Sequence, residues 1–188
     1  MKDIHVMLDI ETTDNRDTAA VLSIAAVFFT STAVLETFSS NIRLQPQLDC
    51  GRTVGEYTLR WWLTQASQEA RERAFLSTER RNYHDAFNDL CDRIEKHAQQ
   101  NEKGFVDVWG NGSDFDNVVL RSAAKSMGIN RSWNYRGNRC YRTLVGTFDP
   151  DKKLYVAPQV AHDPLEDALA QAMHLSAIQE AFPSIKIL

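Results

Sequence analysis

The chain has 188 residues, 43% hydrophobic and 24% charged, with 8 glycines and 5 prolines. That composition excludes collagen-like, low-complexity and wholly disordered chains. Twenty-one basic against 25 acidic residues give a formal charge of −4, which argues against a nucleic-acid binder driven by bulk positive charge.

The length predicts one domain, residues 1–188, with a sizeable core. The N-terminus, MKDIHVMLDIETTD, carries carboxylates by its tenth residue and no apolar signal core. The longest mostly apolar run, Val21 to Phe29, is about half the ~20 residues of a membrane helix. Cys50, Cys91 and Cys140 are odd in number and form no CxxC, so neither a disulfide framework nor a zinc site is expected. The expectation is a soluble, cytoplasmic protein.

Ile4 to Glu11 reads as a strand, Val21 to Phe29 as a buried strand, and Ala33 to Ile42 as a third strand completing a meander. Asn41 to Gly55, with Pro46, Gly51 and Gly55, reads as a loop. From Glu56 to Gln100 the pattern is helical. Tyr57, Leu59, Trp62 and Leu63 share one predicted apolar face; Tyr83, Phe87, Leu90, Ile94 and Ala98 follow three-four spacing. Gly104 to Trp109 predicts a strand, and Phe115 to Met127 a helix stopped by Gly128. Ser132 to Leu144 reads as loop and short helix. A last helix runs from Pro164 to about Ala181. Strands followed by helices, one more strand and more helices predict an α/β domain with a mixed sheet.

Three segments carry candidate chemistry. Asp9 and Glu11 stand two apart on the first strand, so both side chains take the same face. Paired carboxylates repel unless a cation lies between them, and oxygen-rich sites suit Mg²⁺ or Mn²⁺. Thr12 and Thr13 follow, suited to donate to a phosphate or to form a turn. In WGNGSDFD, a strand enters a Gly/Asn/Ser loop and then a helix; Asp114 is the better predicted cap, leaving Asp116 free. In HDPLEDALAQA, Asp163 and Glu166 form a capping box with Pro164 at the first helical position. His162 then precedes the helix on flexible backbone. Asp167 leans back toward it from the first turn.

Taken jointly, Asp9, Glu11, Asp116 and Asp167 form a set that can hold two divalent ions roughly 4 Å apart on a phosphodiester. His162 is placed to take the proton of the attacking water. The net negative charge is then no objection, because the ions supply local positive charge.

The motifs MLDIETT, NGSDFDNVVL and HDPLEDALAQA, in that order, resemble the DEDDh 3′–5′ exonuclease superfamily, which includes ribonuclease T and proofreading exonucleases. The spacing of five from His162 to Asp167 is that of the histidine subtype. TLRWWLTQ and the WGNG–FDNVVLR wording look closer to a phage exonuclease A and mycobacterial-type exoribonuclease subgroup. The resemblance implies an RNase H-like fold with a mixed five-stranded sheet flanked by helices. It implies two Mg²⁺ or Mn²⁺ ions on Asp9, Glu11, Asp116 and Asp167, with Glu11 and His162 catalytic. It further implies release of nucleoside 5′-monophosphates from a 3′ end, with Ile10 and Thr12 holding the terminal nucleotide. The family analogy extends to a homodimer, which no residue pattern here specifies. The second motif departs from the common form: Asn111 lies one residue further from Phe115-Asp116, and Gly110 stands where a His is usual. The role of Asn111 stays open.

Of the two tryptophans, Trp61 is the candidate to stack on a terminal base, and Trp62 to join the core. Phe115 is a second candidate base contact. Arg71, Arg73, Arg80 and Arg81, mixed with Glu69, Glu72 and Glu79, read as a solvated face. Arg136, Arg139 and Arg142 are less neutralised and are candidates for backbone contact. The expected function is 3′–5′ exonuclease action on single-stranded or 3′-overhang nucleic acid, RNA favoured. The alternatives are a phage-type 3′–5′ exodeoxyribonuclease and a catalytically silent nucleic-acid-binding module.

Overall fold

The computed structural model describes residues 3–112 and 114–188. Strands β1 (His5–Thr12), β2 (Val21–Thr30) and β3 (Ala33–Ile42) form the expected antiparallel meander. β4 (Arg80–Arg81) pairs parallel with the end of β3. β5 (Asp107–Gly110) pairs parallel with β1, and β6 (Asn138–Cys140) parallel with β5. The sheet order is β4-β3-β2-β1-β5-β6. This mixed α/β sheet is RNase H-like, but it has six strands rather than five. β4 lies inside the stretch that reads as helix, and β6 inside the stretch that reads as loop. Two or three residues are too few to show an alternating pattern.

The long helical stretch is in fact broken. It holds α2 (Glu56–Thr64), α3 (Gln68–Arg71), a π-helical turn (Glu72–Leu76), β4 and α4 (Tyr83–Ala98). Ser67 starts α3 by accepting from the Ala70 N–H at 3.1 Å. The Asn41–Gly55 loop contains the short helix α1 (Gln45–Asp49), opened by Pro46. α5 (Asp116–Ser126), α6 (Tyr141–Phe148) and α7 (Pro164–Ala181) complete the fold. Gly128, at φ +72°, ends the α5 segment as expected. No helix among the described residues is long and apolar enough to cross a membrane.

Strand parity divides the core. Ile4, Val6, Leu8 and Ile10 pack with α4 and α5 on one face of the sheet. Met7, Val27, Phe29 and Trp109 pack with α6 and α7 on the other. Each fully buried side chain of this size contributes about 1.5–3 kcal/mol. Those two apolar layers supply the stability against which a buried group of like charges is tolerated. Asp9 and Glu11 share the parity of Met7 and so lie beneath α7.

Candidate active site

β1 ends on a bulge between Glu11 and Thr12, where its register on β2 slips from Ser23 to Val21. Such bulges re-aim side chains next to a site. Asp9 is buried, and Glu11 keeps 12% of its side chain exposed.

α7 starts as its residues predict. Asp163 Oδ1 accepts from the N–H groups of Leu165 and Glu166, and Pro164 opens the helix. Glu166 completes the box differently, accepting from the Val160 N–H at 3.0 Å. Asp167 Oδ2 accepts from the His162 N–H at 2.7 Å. That bond ties down a residue in the left-handed region, φ +66°, which is strained for a non-glycine. His162 Nδ1 then lies 3.9 Å from Glu11 Oε1. Ligand atoms of Glu11, His162 and Asp167 all fall within 4.8 Å of one another.

The third segment arrives from β5. Asp116 is the first residue of α5 and is buried, whereas Asp114 is exposed and does not cap the helix. Ser113, within the same motif, lies outside the described residues. Asp116 Oδ2 accepts from the Asn111 N–H at 2.8 Å, so Asn111 serves the site through its main chain. Gly110 allows this approach: a Cβ there would meet Asn117 Oδ1 at 2.7 Å and Asp116 Oδ2 at 3.1 Å.

Asp9, Glu11, Asp116, Asp167 and His162 therefore line one pocket of about 310 Å³. Burial, then repulsion from Asp116, Glu11 and Asp167, raises the Asp9 carboxyl well above its ordinary range. Burial, then Asp167 and Asp116, does the same to Glu11. Burial pushes Asp116 up to about 6, opposed by the Asn111 and Ile10 N–H groups and by Arg142. Burial also raises Asp167, against the His162 N–H.

Each of the other buried acids has a basic side chain as partner. Asp14 pairs with Arg16, Asp107 with Arg139 and Lys103, and Asp149 with His174. Among the described residues, none of the four pocket carboxylates has an ion pair to Lys or Arg. Clustered carboxylates without a Lys or Arg partner can serve as the donor set of a divalent cation.

Around this set, Trp61 stands edge-on to the His162 ring at 4.6 Å between centroids. Trp62 is buried and donates its indole N–H to the Thr12 carbonyl at 3.0 Å. Tyr57 and Leu63, assigned from sequence to the Trp62 stripe, are instead 77% and 73% exposed. Phe115 lines the pocket. Ile10 borders it while its side chain packs in the opposite core. The Thr12 hydroxyl donates to the Asp14 carbonyl at 2.7 Å, closing a turn. The Arg-rich stretch is not simply solvated: Arg73 bridges Asp163, Glu166 and Glu69, Arg80 donates to the Ile42 and Ala74 carbonyls, and Arg81 pairs with Asp89. Of the three later arginines, Arg139 turns to Asp107, and Arg142 alone reaches the pocket.

Sequence reading passed over Gln171, whose amide donates to Asp9 Oδ1 at 2.9 Å. Its signal was its position, four residues after Asp167 and hence on the same helix face. Lys152 and Tyr155 also line the pocket. They come from an irregular segment with no periodicity to mark them.

A family model described as the 3′–5′ exoribonuclease Rv2179c-like domain matches residues 4–179. No curated protein matches the chain. Among solved structures, the chain is similar to the zinc-bound form of the E. coli ExoI–ssDNA complex, with TM-score 0.66 and 12% identity over 97% of this chain and 42% of that one. It is similar to the nuclease domain of 3′hExo, a DEDDh family member bound to rAMP, with TM-score 0.59 and 11% identity over 97% and 93% of the two chains. It is also similar to cell-death related nuclease 4, with TM-score 0.61 and 16% identity over 96% and 64%. The chain thus spans about two fifths of the exonuclease I chain. At these identities the likeness establishes the fold.

Proposed function

Since the chain belongs to the 3′–5′ exoribonuclease Rv2179c-like domain family, within the DEDDh 3′–5′ exonuclease superfamily, we propose that residues 1–188 act as one exonuclease domain on single-stranded or 3′-overhang RNA, releasing nucleoside 5′-monophosphates. The observation that carries this reading is the set of four pocket carboxylates without a Lys or Arg partner among the described residues, with His162 at 3.9 Å from Glu11.

Asp9, Glu11, Asp116 and Asp167 would hold two divalent ions, Mg²⁺ or Mn²⁺. Bound there, the ions supply the positive charge that offsets the charge building on the attacking and leaving oxygens of an in-line displacement. His162 takes the proton of the attacking water, held for that role by its main-chain bond to Asp167. Gln171 orients the Asp9 carboxylate, leaving its other oxygen for the ion. Trp61, beside His162, stacks on the terminal base, and Phe115 bounds the pocket. RNA is favoured because the matching family is described by exoribonuclease activity. A silent binding module gains nothing from gathering four carboxylates in one pocket, two of them buried, which weighs against that alternative.

The test is a time course on 5′-labelled, 3′-tailed RNA and DNA of identical sequence with Mg²⁺, Mn²⁺ or chelator. A metal-dependent ladder shortening from the 3′ end, faster on RNA, is expected. A faster DNA ladder would select the exodeoxyribonuclease reading. Internal cuts, or binding with no cleavage under any metal, would overturn the proposal.

A further inference from the structure

We infer that Arg142 and Lys152 form an anion subsite on the rim of the catalytic pocket, taking the backbone phosphate one position 5′ of the scissile one. The inference rests on the exonuclease reading above. Four observations carry it. Among the described residues, Arg142 and Lys152 are the only Lys or Arg side chains lining the pocket. Neither forms an ion pair with an acid among those residues. Arg142 donates to the Asn111 carbonyl at 2.7 Å, and the Lys152 ammonium lies over the Tyr155 ring at 5.4 Å.

The third observation is backbone strain. Lys152 and His162 are the two non-glycine residues with positive φ among the described residues, at 53° and 66°, and both line this pocket. Left-handed backbone at a lysine is unfavourable unless its surroundings impose it. The fourth observation is what imposes it. Asp149 accepts from the N–H groups of Lys153 and Leu154, both at 2.9 Å. His174, fully buried in α7, joins Asp149 at 2.9 Å and the Tyr141 hydroxyl at 2.7 Å. A buried polar chain thus pins the turn that presents Lys152, and it ties that turn to α6, which carries Arg142.

The position of the anion follows from the chemistry of a 3′ end. The terminal nucleoside has a free 3′-hydroxyl, and its single phosphate is the scissile one, held over the carboxylates. Any further phosphate reaching this rim belongs to the next nucleotide toward the 5′ end. Two cations without an acid partner among the described residues, beside an acidic pocket, suit that group as charge-assisted donors to a phosphate.

The experiment compares kcat/KM for a dinucleoside monophosphate, which has no phosphate 5′ of the scissile one, with that for a trinucleoside diphosphate, which has one. In Arg142→Gln and in Lys152→Gln the ratio of the longer to the shorter substrate should fall roughly tenfold. The salt dependence of kcat/KM on the longer substrate should weaken for each cation removed. A ratio equal to that of the wild type overturns the inference, whether both rates hold or both fall. A wild type that cleaves neither these compounds nor 3′-tailed RNA overturns the exonuclease reading instead. The subsite is then judged by equilibrium binding of the two compounds, and equal affinities would overturn it.

Discussion

Asp9 sits on a central strand beneath a helix, buried beside Glu11, Asp116 and Asp167, with one hydrogen bond from Gln171 to hold it. Burial and the three neighbouring acids raise its carboxyl, so its ionised form is costly in the metal-free fold. Asp9→Asn keeps the shape and an acceptor for Gln171 while removing one charge. The expected outcome is a melting temperature several degrees higher without metal, since ~1 kcal/mol moves a domain of this size about 2–4 °C. Metal-dependent cleavage should fall by about three orders of magnitude, equivalent to ~4 kcal/mol of barrier. A variant that melts no higher and still cleaves would show that Asp9 is neither costly when ionised nor catalytic. At this scale much was legible. Strand parity puts Asp9 and Glu11 on one face, and a cap pattern puts His162 and Asp167 at one helix start. The separation of Trp61 from Trp62 also follows from helix geometry. Gly110 was less readable: its missing side chain matters because Asp116 and Asn117 fold back to within about 3 Å of where a Cβ would be.

Between elements, the contact that matters most for the site is Arg73 on the π-helical turn. It reaches Asp163 Oδ2 at 2.9 Å and Glu166 Oε1 at 3.3 Å, and it is steadied by Glu69 at 2.7 Å. Asp163 caps α7 and adjoins His162, so this arginine locks the turn to the histidine segment. Hydrogen bonds to these acids hold its guanidinium more firmly protonated than usual. Exposed pairs of this kind contribute little to global stability. Arg73→Gln should therefore shift the melting temperature by less than about 2 °C. It should lower kcat several-fold and speed amide exchange at residues 160–163. Unchanged exchange there would mean that the segment holds itself. The lock was invisible in sequence because Arg73 and Asp163 lie ninety residues apart, and Arg73 sits among acids that read as solvated partners. The breaks in the helical stretch were hidden for a related reason. Ser67 can start a helix only where the preceding one has been stopped, and packing decides that.

For the molecule as a whole, the four pocket carboxylates link pH, metal and stability. Asp116 rises from its ordinary value near 3.8 to about 6 on folding, so the folded state holds that proton more tightly than the unfolded chain does. The stability this gives is fully present below the unfolded value and is lost as pH rises through about 6. Raised Asp9, Glu11 and Asp167 carboxyls act in the same direction. A divalent ion competes with those protons and takes over their role. Saturating Mg²⁺ or Mn²⁺ should therefore raise the melting temperature little at about pH 4.5 and by several degrees at about pH 7.5, with protons released on binding. Thermal melts across pH, with calorimetry in two buffers of different ionisation enthalpy, would measure both. A metal-induced shift independent of pH would sink the linkage.

Taken by itself, the sequence determined the meander and the main helices of the second half, and it nominated the acidic set. These rest on short-range physics: alternation along a strand, three-four spacing along a helix, and capping at a helix start. Tertiary structure decided what depends on contact across the chain. It brought the three acidic segments together in one pocket and added Gln171 to Asp9. It inserted the two shortest strands, placed Tyr57 in solvent, turned Arg139 to Asp107 and Arg142 to the site, and fixed the Lys152 turn through His174 and Asp149. Each of these outcomes compares one distant partner with another or with water, and no local pattern encodes which partner wins.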